Sequence, residues 1–347
     1  MLFNIQSDNG HAIVGYVVPD DYERTTTLRV VVEGEVIARV PTDECRISLV
    51  ESGRHGTGLC GFTIDNAVVP DLFDLHDLQI FEDETGILIY RRRPASADIQ
   101  ERVFRIETHL FPLWHMDTAL QEHFCHFHKG VDRYGSETTT QIFLLDNAQS
   151  IYISGRLPYR QYYSHLDSFA CVTLLHEPYY ELAERLMTLK HATKYGDTLL
   201  GPRESTILQP AIDFANALNS DGEALSRAFA AMPGPVIALL SNPIARQFAA
   251  ESFDAPEPRG SVATALANLS QCALVGVRER AAPFAGDLEN LLGLPPATVQ
   301  IAPMLQPAQA LANKLRHIPE VEILLESDLD IYAQVSEAVH HAYGMED

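Results

Sequence analysis

The residues best suited to chemistry gather in two stretches of the chain. The first holds His109, His115, His123, His126 and His128, with Asp117, Glu122 and Cys125 among them. Imidazoles and carboxylates at this density can bind a metal or move protons. A helix over residues 117–128, with Leu120 and Phe124 on one face, would bring His123 and His126 to one side. The spacing is not H-E-x-x-H and no paired cysteines accompany it, so partly exposed helix histidines are the simpler reading and no metal site is assigned. The second stretch is residues 151–190, with Arg156, His165, His176, Glu177, Glu181 and Glu184. His176-Glu177-Pro178 directly follows the apolar run 169–175, and Leu182, Leu186 and Leu189 then recur at helical spacing. Proline costs nothing at a first helical position, so the stretch predicts strand, tight turn and helix N-terminus. That is an arrangement that α/β proteins use to hold phosphate.

These elements need a scaffold, and the chain is long enough to supply one. Its 347 residues, 46% of them hydrophobic, have room for two domains with sizeable cores. A formal net charge of −22 disfavours nucleic acid and anionic membranes as partners. A small anion remains compatible, because salt screens the distant charges and local ones decide. The five cysteines are odd in number, widely spaced and without C-x-x-C, which favours reduced thiols and a cytoplasmic setting. No secretory signal opens the chain, and no apolar run reaches the ~18 residues of a membrane span. Nothing in the sequence speaks to the oligomeric state.

Residues 1–94 read as a small all-β sandwich. Short β-branched runs alternate with turns, and two hairpins are expected around Glu33-Gly34-Glu35 and Asp83-Glu84-Thr85-Gly86. Arg91-Arg92-Arg93-Pro94 reads as a solvated hinge rather than an anion patch, which sets the domain boundary at 94/95. From 95 to 347, strands near 103–110, 151–153, 169–175 and 272–277 alternate with helical patterns. This predicts a three-layer α/β domain with a mainly parallel sheet. Pro295 to Pro307 reads as a connection, residues 235–240 as strand or helix, and 283–292 as a helix with Phe284, Leu288 and Leu291 inward. Residues 328–343 read as a terminal helix with Leu329, Tyr332, Val335 and Val339 on its apolar face.

Five segments of the second domain, in order, resemble the sulfotransferase superfamily, especially bacterial relatives of the heparan-sulfate O-sulfotransferases. SGRLPY is similar to the family's G-H-F-P-Y turn, and FACVTLLHEPYYELAERL to its strand and helix that begin R-D-P-V-E-R-L-L-S. NPIARQFA is similar to its N-x-x-x-R helix, ALANLSQCALVGVRERAAPFAGDLENLLGL to its A-x-x-N-L and V-G-[VL]-x-E-R segment, and ESDLDIYAQV to its closing helix. The β domain resembles one found beside glycosyltransferase and sulfotransferase modules, through GYVVPDD, VEGEVIARV, GRHGTGLCGFTI and ETGILIY. The resemblance implies a P-loop-type fold and transfer of a sulfuryl group from 3′-phosphoadenosine 5′-phosphosulfate to a sugar hydroxyl. It implies donor contacts at His109, His115 and Thr118 in the first-strand loop, at His176 and Glu184 in the second motif, and at Arg246. Arg156, or His165 nearby, would stand at the base position.

The motifs are degenerate where that chemistry needs them. The first-strand loop has no Lys and no Gly, and it carries Phe111, Pro112 and Trp114. The family's first Arg is His176, its second Arg is Glu181, and its closing Ser is Glu184. Arg156 replaces the histidine of the turn and stays protonated. The alternative is therefore a catalytically inactive sulfotransferase-like binding or scaffold protein, with a carbohydrate or a polysaccharide-assembly protein as its partner. Tyr159, Tyr162, Tyr163, Tyr179 and Tyr180 could stack on a sugar or simply pack. Arg278 and Arg280, flanking Glu279, are read as structural ion pairs.

Overall fold

The computed structural model describes residues 1–94, 98–145, 148–195, 200–219 and 222–344. The expected domain boundary at 94/95 adjoins residues 95–97 and so lies outside the described residues. The chain divides into two compact units. One is Met1–Arg102 with Gln121–His128 and Tyr134–Tyr152; the other is Val103–Leu120, Lys129–Arg133 and Ile153–Asp347.

The first unit is built on eight strands. They are β1 Leu2–Asp8, β2 Ala12–Val18, β3 Thr27–Val32, β4 Glu35–Pro41, β5 Glu44–Cys45, β6 Leu59–Asp65, β7 Leu78–Glu82 and β8 Leu88–Arg92. They form two antiparallel sheets, β1-β2-β6-β5 and β4-β3-β7-β8. Alternation buries Ile13 and Val17 of one sheet, and Leu28, Val30, Leu78 and Ile80 of the other. Both expected hairpins are present. The β3–β4 turn has positive φ at Glu33 and Gly34, the primed geometry that matches the twist of two paired strands. The arginines expected at a solvated hinge are engaged instead. Arg91 and Arg92 end β8; Arg91 binds Asp77 at 2.9 and 2.7 Å, and Arg92 binds Asp8 at 2.8 and 2.6 Å.

A five-stranded parallel sheet follows, from β9 Arg102–Ile106, β10 His126–Lys129, β11 Ile151–Gly155, β12 Ala170–Leu175 and β13 Leu274–Val277. Its order is β10-β11-β9-β12-β13. β12 lies between β9 and β13, with Thr173 opposite both Ile106 and Val275. The helix Pro178–Tyr195 starts at the expected proline. Its Leu182, Leu186 and Leu189 are buried in a cluster with Ile212, Leu240 and Leu315. Among the described residues no helix is long and apolar enough to cross a membrane.

Several local expectations change. The helix expected over 117–128 is Trp114–Leu120; a short 3-10 turn follows, and then strand β10. Phe124, His126 and His128 are buried at every second position, a period of two that the Leu120–Phe124 spacing had disguised. His123 and His126 therefore share no helix. Residues Ser136–Phe143 form a helix, and residues 235–240, read as strand or helix, lie within the helix Gly234–Leu240. In Ala281–Leu292, Leu291 is exposed and Leu292 buried. The terminal helix Glu326–Ala342 buries Asp328 and Ile331 with Val335 and Val339, in place of Leu329 and Tyr332. Helices Gln306–Leu315 and Pro319–Leu324 occupy a span to which no element was assigned.

Gly276 in β13 shows how tightly this core is filled. A Cβ there would meet the Phe284 ring at 2.3 Å and Leu174 Cδ1 at 3.1 Å. Gly286, inside the helix Ala281–Leu292, has open space around it. Gly276→Ala is expected to lose about 1–3 kcal/mol in urea unfolding. Gly286→Ala is expected to gain about 0.5–1 kcal/mol by removing backbone freedom from the unfolded chain. Equal stability of the two variants would contradict this packing.

Candidate functional site

The connections that leave β9 and β12 run in opposite directions, toward β10 and toward β13. In open α/β sheets the crevice at the carboxyl ends of such a strand pair is the usual ligand site. Here that crevice holds a buried group of charged and polar side chains from the chain itself.

The turn after β9 is organised by Glu107. Its carboxylate accepts the backbone N–H of Leu113 at 2.8 Å and that of His109 at 3.4 Å. Arg105 Nη1 lies 2.9 Å from it and His109 Nδ1 2.8 Å. Burial opposes the charge, but the Arg105 guanidinium and then His109 outweigh it and hold Glu107 well below the usual carboxylate range. Arg105 also binds Asp117 through Nε at 2.7 Å and Nη2 at 2.8 Å, and Ser154 donates to the same carboxylate at 2.9 Å. One arginine inside a strand thus ties two buried carboxylates to the sheet. The crevice left around this turn is about 10 Å³, room for roughly one water.

The turn after β12 places His176 against His109. The rings stack with centroids 3.6 Å apart and planes at 13°. Neither nitrogen of His176 has a hydrogen-bond partner, and Nδ1 lies 3.5 Å from Glu184. Burial, with the charges of His109 and Arg278, pushes the His176 pKa well down, so the ring is neutral. Burial pushes Glu184 up to about 7. Tyr180 O–H donates to Glu184 at 3.1 Å and accepts the N–H of Leu305 at 2.8 Å. Glu181, one turn earlier, is held by Arg185 through Nη2 at 2.7 Å and Nε at 3.1 Å. The start of the helix Pro178–Tyr195 is capped from inside, since Glu177 accepts the N–H of Tyr180 at 2.9 Å and faces Arg316 at 2.9 Å.

A second opening lies beside these turns. It has a volume of about 90 Å³ and is lined by Arg156, Arg185, Arg246 and Gln247 among others. Arg156 follows β11 and faces Glu204 and, at 4.0 Å, Asp132. Arg246 donates to the carbonyls of Ala238 and Phe253. Gln247 donates to the carbonyls of Glu107 at 2.7 Å and Leu157 at 3.2 Å, which connects the opening to the β9 turn. The helix Pro243–Ala249 that carries both residues begins on Asp328, which accepts the N–H groups of Ile244 at 3.0 Å and Ala245 at 2.7 Å.

The residues singled out from sequence separate accordingly. His109, His176 and Glu184 come together, and Arg156 and Arg246 share the larger opening. His115 and Thr118 sit on exposed positions of Trp114–Leu120, where Thr118 donates to the Trp114 carbonyl. His165 lies in the 3-10 segment Tyr163–Ser168 and lines neither opening. Of the tyrosines, Tyr159, Tyr162 and Tyr180 are buried while Tyr163 is exposed. Arg105, Glu107 and Arg185 were not singled out from the sequence, and Asp117 only as a member of the histidine cluster. Two signals pointed to them: a charge inside the apolar run Val103-Phe104-Arg105-Ile106, and the Glu181–Arg185 spacing of four. No family model matches the chain, and no curated protein matches it.

Glu184 offers a test of this interior. A carboxyl whose folded pKa is about 7, against an ordinary value near 4.3, binds its proton more tightly when folded. Its stabilising contribution is complete below about pH 4.3 and is lost as pH rises to about 7. Glu184→Gln stays neutral and lacks that loss. From pH 4.5 to pH 8, wild type should lose stability relative to Glu184→Gln by about 3 kcal/mol in urea unfolding. A difference independent of pH would mean that Glu184 ionises normally.

Proposed function

We propose that this chain is a sulfotransferase-like binding or scaffold protein that does not transfer sulfuryl groups. The reading unites a P-loop-type α/β domain, preceded by an all-β domain, with a donor turn that the chain itself has filled. The observation that carries it is the Glu107 carboxylate in the turn after β9. It takes the backbone N–H groups that a phosphate would need, and Arg105 and His109 compensate its charge. The parallel sheet, with β9 at its centre and the strand–turn–helix of β12 intact, supports the fold half of the proposal.

The residues present do not fit a phosphosulfate donor. The crevice at the turn is about water-sized. The position that would grip the 3′-phosphate holds a neutral His176 and Glu184, and Glu181 is already bound to Arg185. Displacing Glu107 would break charge-assisted hydrogen bonds of about 1.5–3 kcal/mol each. Losing two of them weakens binding by more than ~100-fold. The base position of the resemblance holds Arg156, a cation that faces Glu204 and Asp132. The partner under this reading is a carbohydrate or a protein of polysaccharide assembly, met through the surface rather than through the donor turn.

Calorimetric titration of the full chain with adenosine 3′,5′-bisphosphate at pH 7.5 tests the proposal. No saturable binding is expected up to millimolar nucleotide. Binding in the micromolar range would overturn the non-catalytic reading and favour an active sulfotransferase with an unusual donor site.

A further inference from the structure

The opening beside Arg156 is unlike the rest of this acidic protein. Three guanidinium groups converge on it, those of Arg156, Arg185 and Arg246, against the two carboxylates Glu204 and Asp254. Arg156 and Arg185 are more than nine-tenths buried. Burial pushes the Arg156 and Arg246 pKa values down, and Arg185 repels both of them. Like charges held this close in a shielded place need anions to offset them, which Glu181 supplies at Arg185 and Glu204 with Asp132 at Arg156.

The hydrogen-bonding capacity of the arginines is not used up. Arg156 meets Glu204 and Asp132 through Nη2. Arg185 engages Glu181 through Nε and Nη2 and leaves Nη1 over. Arg246 uses its two Nη groups on carbonyls, while its buried Nε has no partner. A guanidinium carries five N–H donors in a fork matched to a planar or tetrahedral oxyanion. The rest of the wall is apolar, from Ile207, Leu208, Leu239, Pro243 and Phe253.

We propose that this opening binds a small organic monoanion, a carboxylate or a sulfate monoester on a short apolar body, which takes the place of the Glu204 carboxylate at Arg156. The exchange replaces one carboxylate by another anion, so the charge balance around Arg156 is kept. The volume of about 90 Å³ equals roughly three waters at about 30 Å³ each, which limits the ligand to a small one. Glu204 is an internal stand-in for the ligand: it is 26% exposed, comes from the helix Pro202–Ile207, and meets the Arg156 guanidinium at Nη2. The apolar wall selects against bare inorganic ions. This site shares Arg156 with the crevice at the donor turn, but its ligand is a small anion rather than a nucleotide, so a failure to bind nucleotide leaves the proposal standing.

The test is calorimetry on the full chain with sodium butyrate, butyl sulfate and n-butanol as probes. Saturable binding is expected for at least one of the two anions, and none for n-butanol. Preference between the anions identifies the ligand as carboxylate or sulfate ester. Glu204→Gln removes the stand-in, leaves Arg156 short of a counter-charge, and should tighten binding about tenfold. Arg156→Met should weaken it at least tenfold. Circular dichroism establishes that each variant is folded, and should Arg156→Met fail to fold, the Glu204→Gln comparison decides alone. Binding that Glu204→Gln leaves unchanged or weakens, binding equal in folded Arg156→Met, or no binding by wild type and Glu204→Gln alike would overturn the proposal.

Discussion

The ion pairs of Arg105 are the constraint on which the α/β domain depends. A guanidinium in the middle of a central strand has to be neutralised where it stands, because the buried interior offers no water. Asp117 from the following helix and Glu107 from the following turn supply that neutralisation. Each carboxylate in turn fixes its own segment. Asp117 draws Trp114–Leu120 onto the sheet beside Ser154, and Glu107 folds the turn around itself through the N–H groups of His109 and Leu113. Removing one partner would strand a buried charge, which is among the most destabilising single changes a core can suffer. The turn is rigid for the same reason that it is closed.

The same device recurs at other chain reversals. Glu177 caps the helix Pro178–Tyr195, and Asp328 caps Pro243–Ala249. Helix starts and tight turns are natural anion sites, since unpaired N–H groups and the helix dipole point the same way. An acidic protein has many carboxylates with which to satisfy them internally. Asp328 carries a cost, as its burial pushes the pKa up to about 7. The two N–H bonds it accepts are what keep so buried a carboxyl tied to the helix start. The group of Arg156, Arg185 and Arg246 stands out as three guanidiniums lining one opening, two of them faced by carboxylates of the chain itself.

Much of this was legible in the sequence, and the limits have physical causes. The strand–turn–helix at β12 was readable because apolar run, proline and leucine spacing all agree. The β3–β4 hairpin was readable from its glycine. The strand β10 was not, because its buried alternate positions are histidines, and imidazoles carry no clear apolar period. The helices after Gln306 were missed because prolines near their starts resemble connection chemistry, although proline suits a first helical turn. In the site, His109, His176 and Glu184 were singled out from their motif positions. Their arrangement was not, since the His109–His176 stack joins residues 67 positions apart. Arg105 was passed over because a lone arginine in a strand reads as solvated unless its partners are known.

Degenerate motifs are read most securely as exchanges between pairs rather than as single losses. In sequence, Glu181 and Glu184 look like two charges that would repel a bound phosphate. In the folded chain Glu181 is neutralised by Arg185 one turn on, and Glu184 titrates near neutrality beside a neutral His176. Their effect on a phosphate is therefore mainly one of missing donors and occupied space, with direct repulsion the lesser part. At the first turn, which has neither lysine nor glycine, Glu107, Arg105 and Asp117 close the turn from inside. A site that had merely lost its ligand would leave unpaired backbone N–H groups and a void. At the β9 turn the N–H groups of His109 and Leu113 are paired to Glu107, so the contacts a phosphate would need there are contacts that hold the fold.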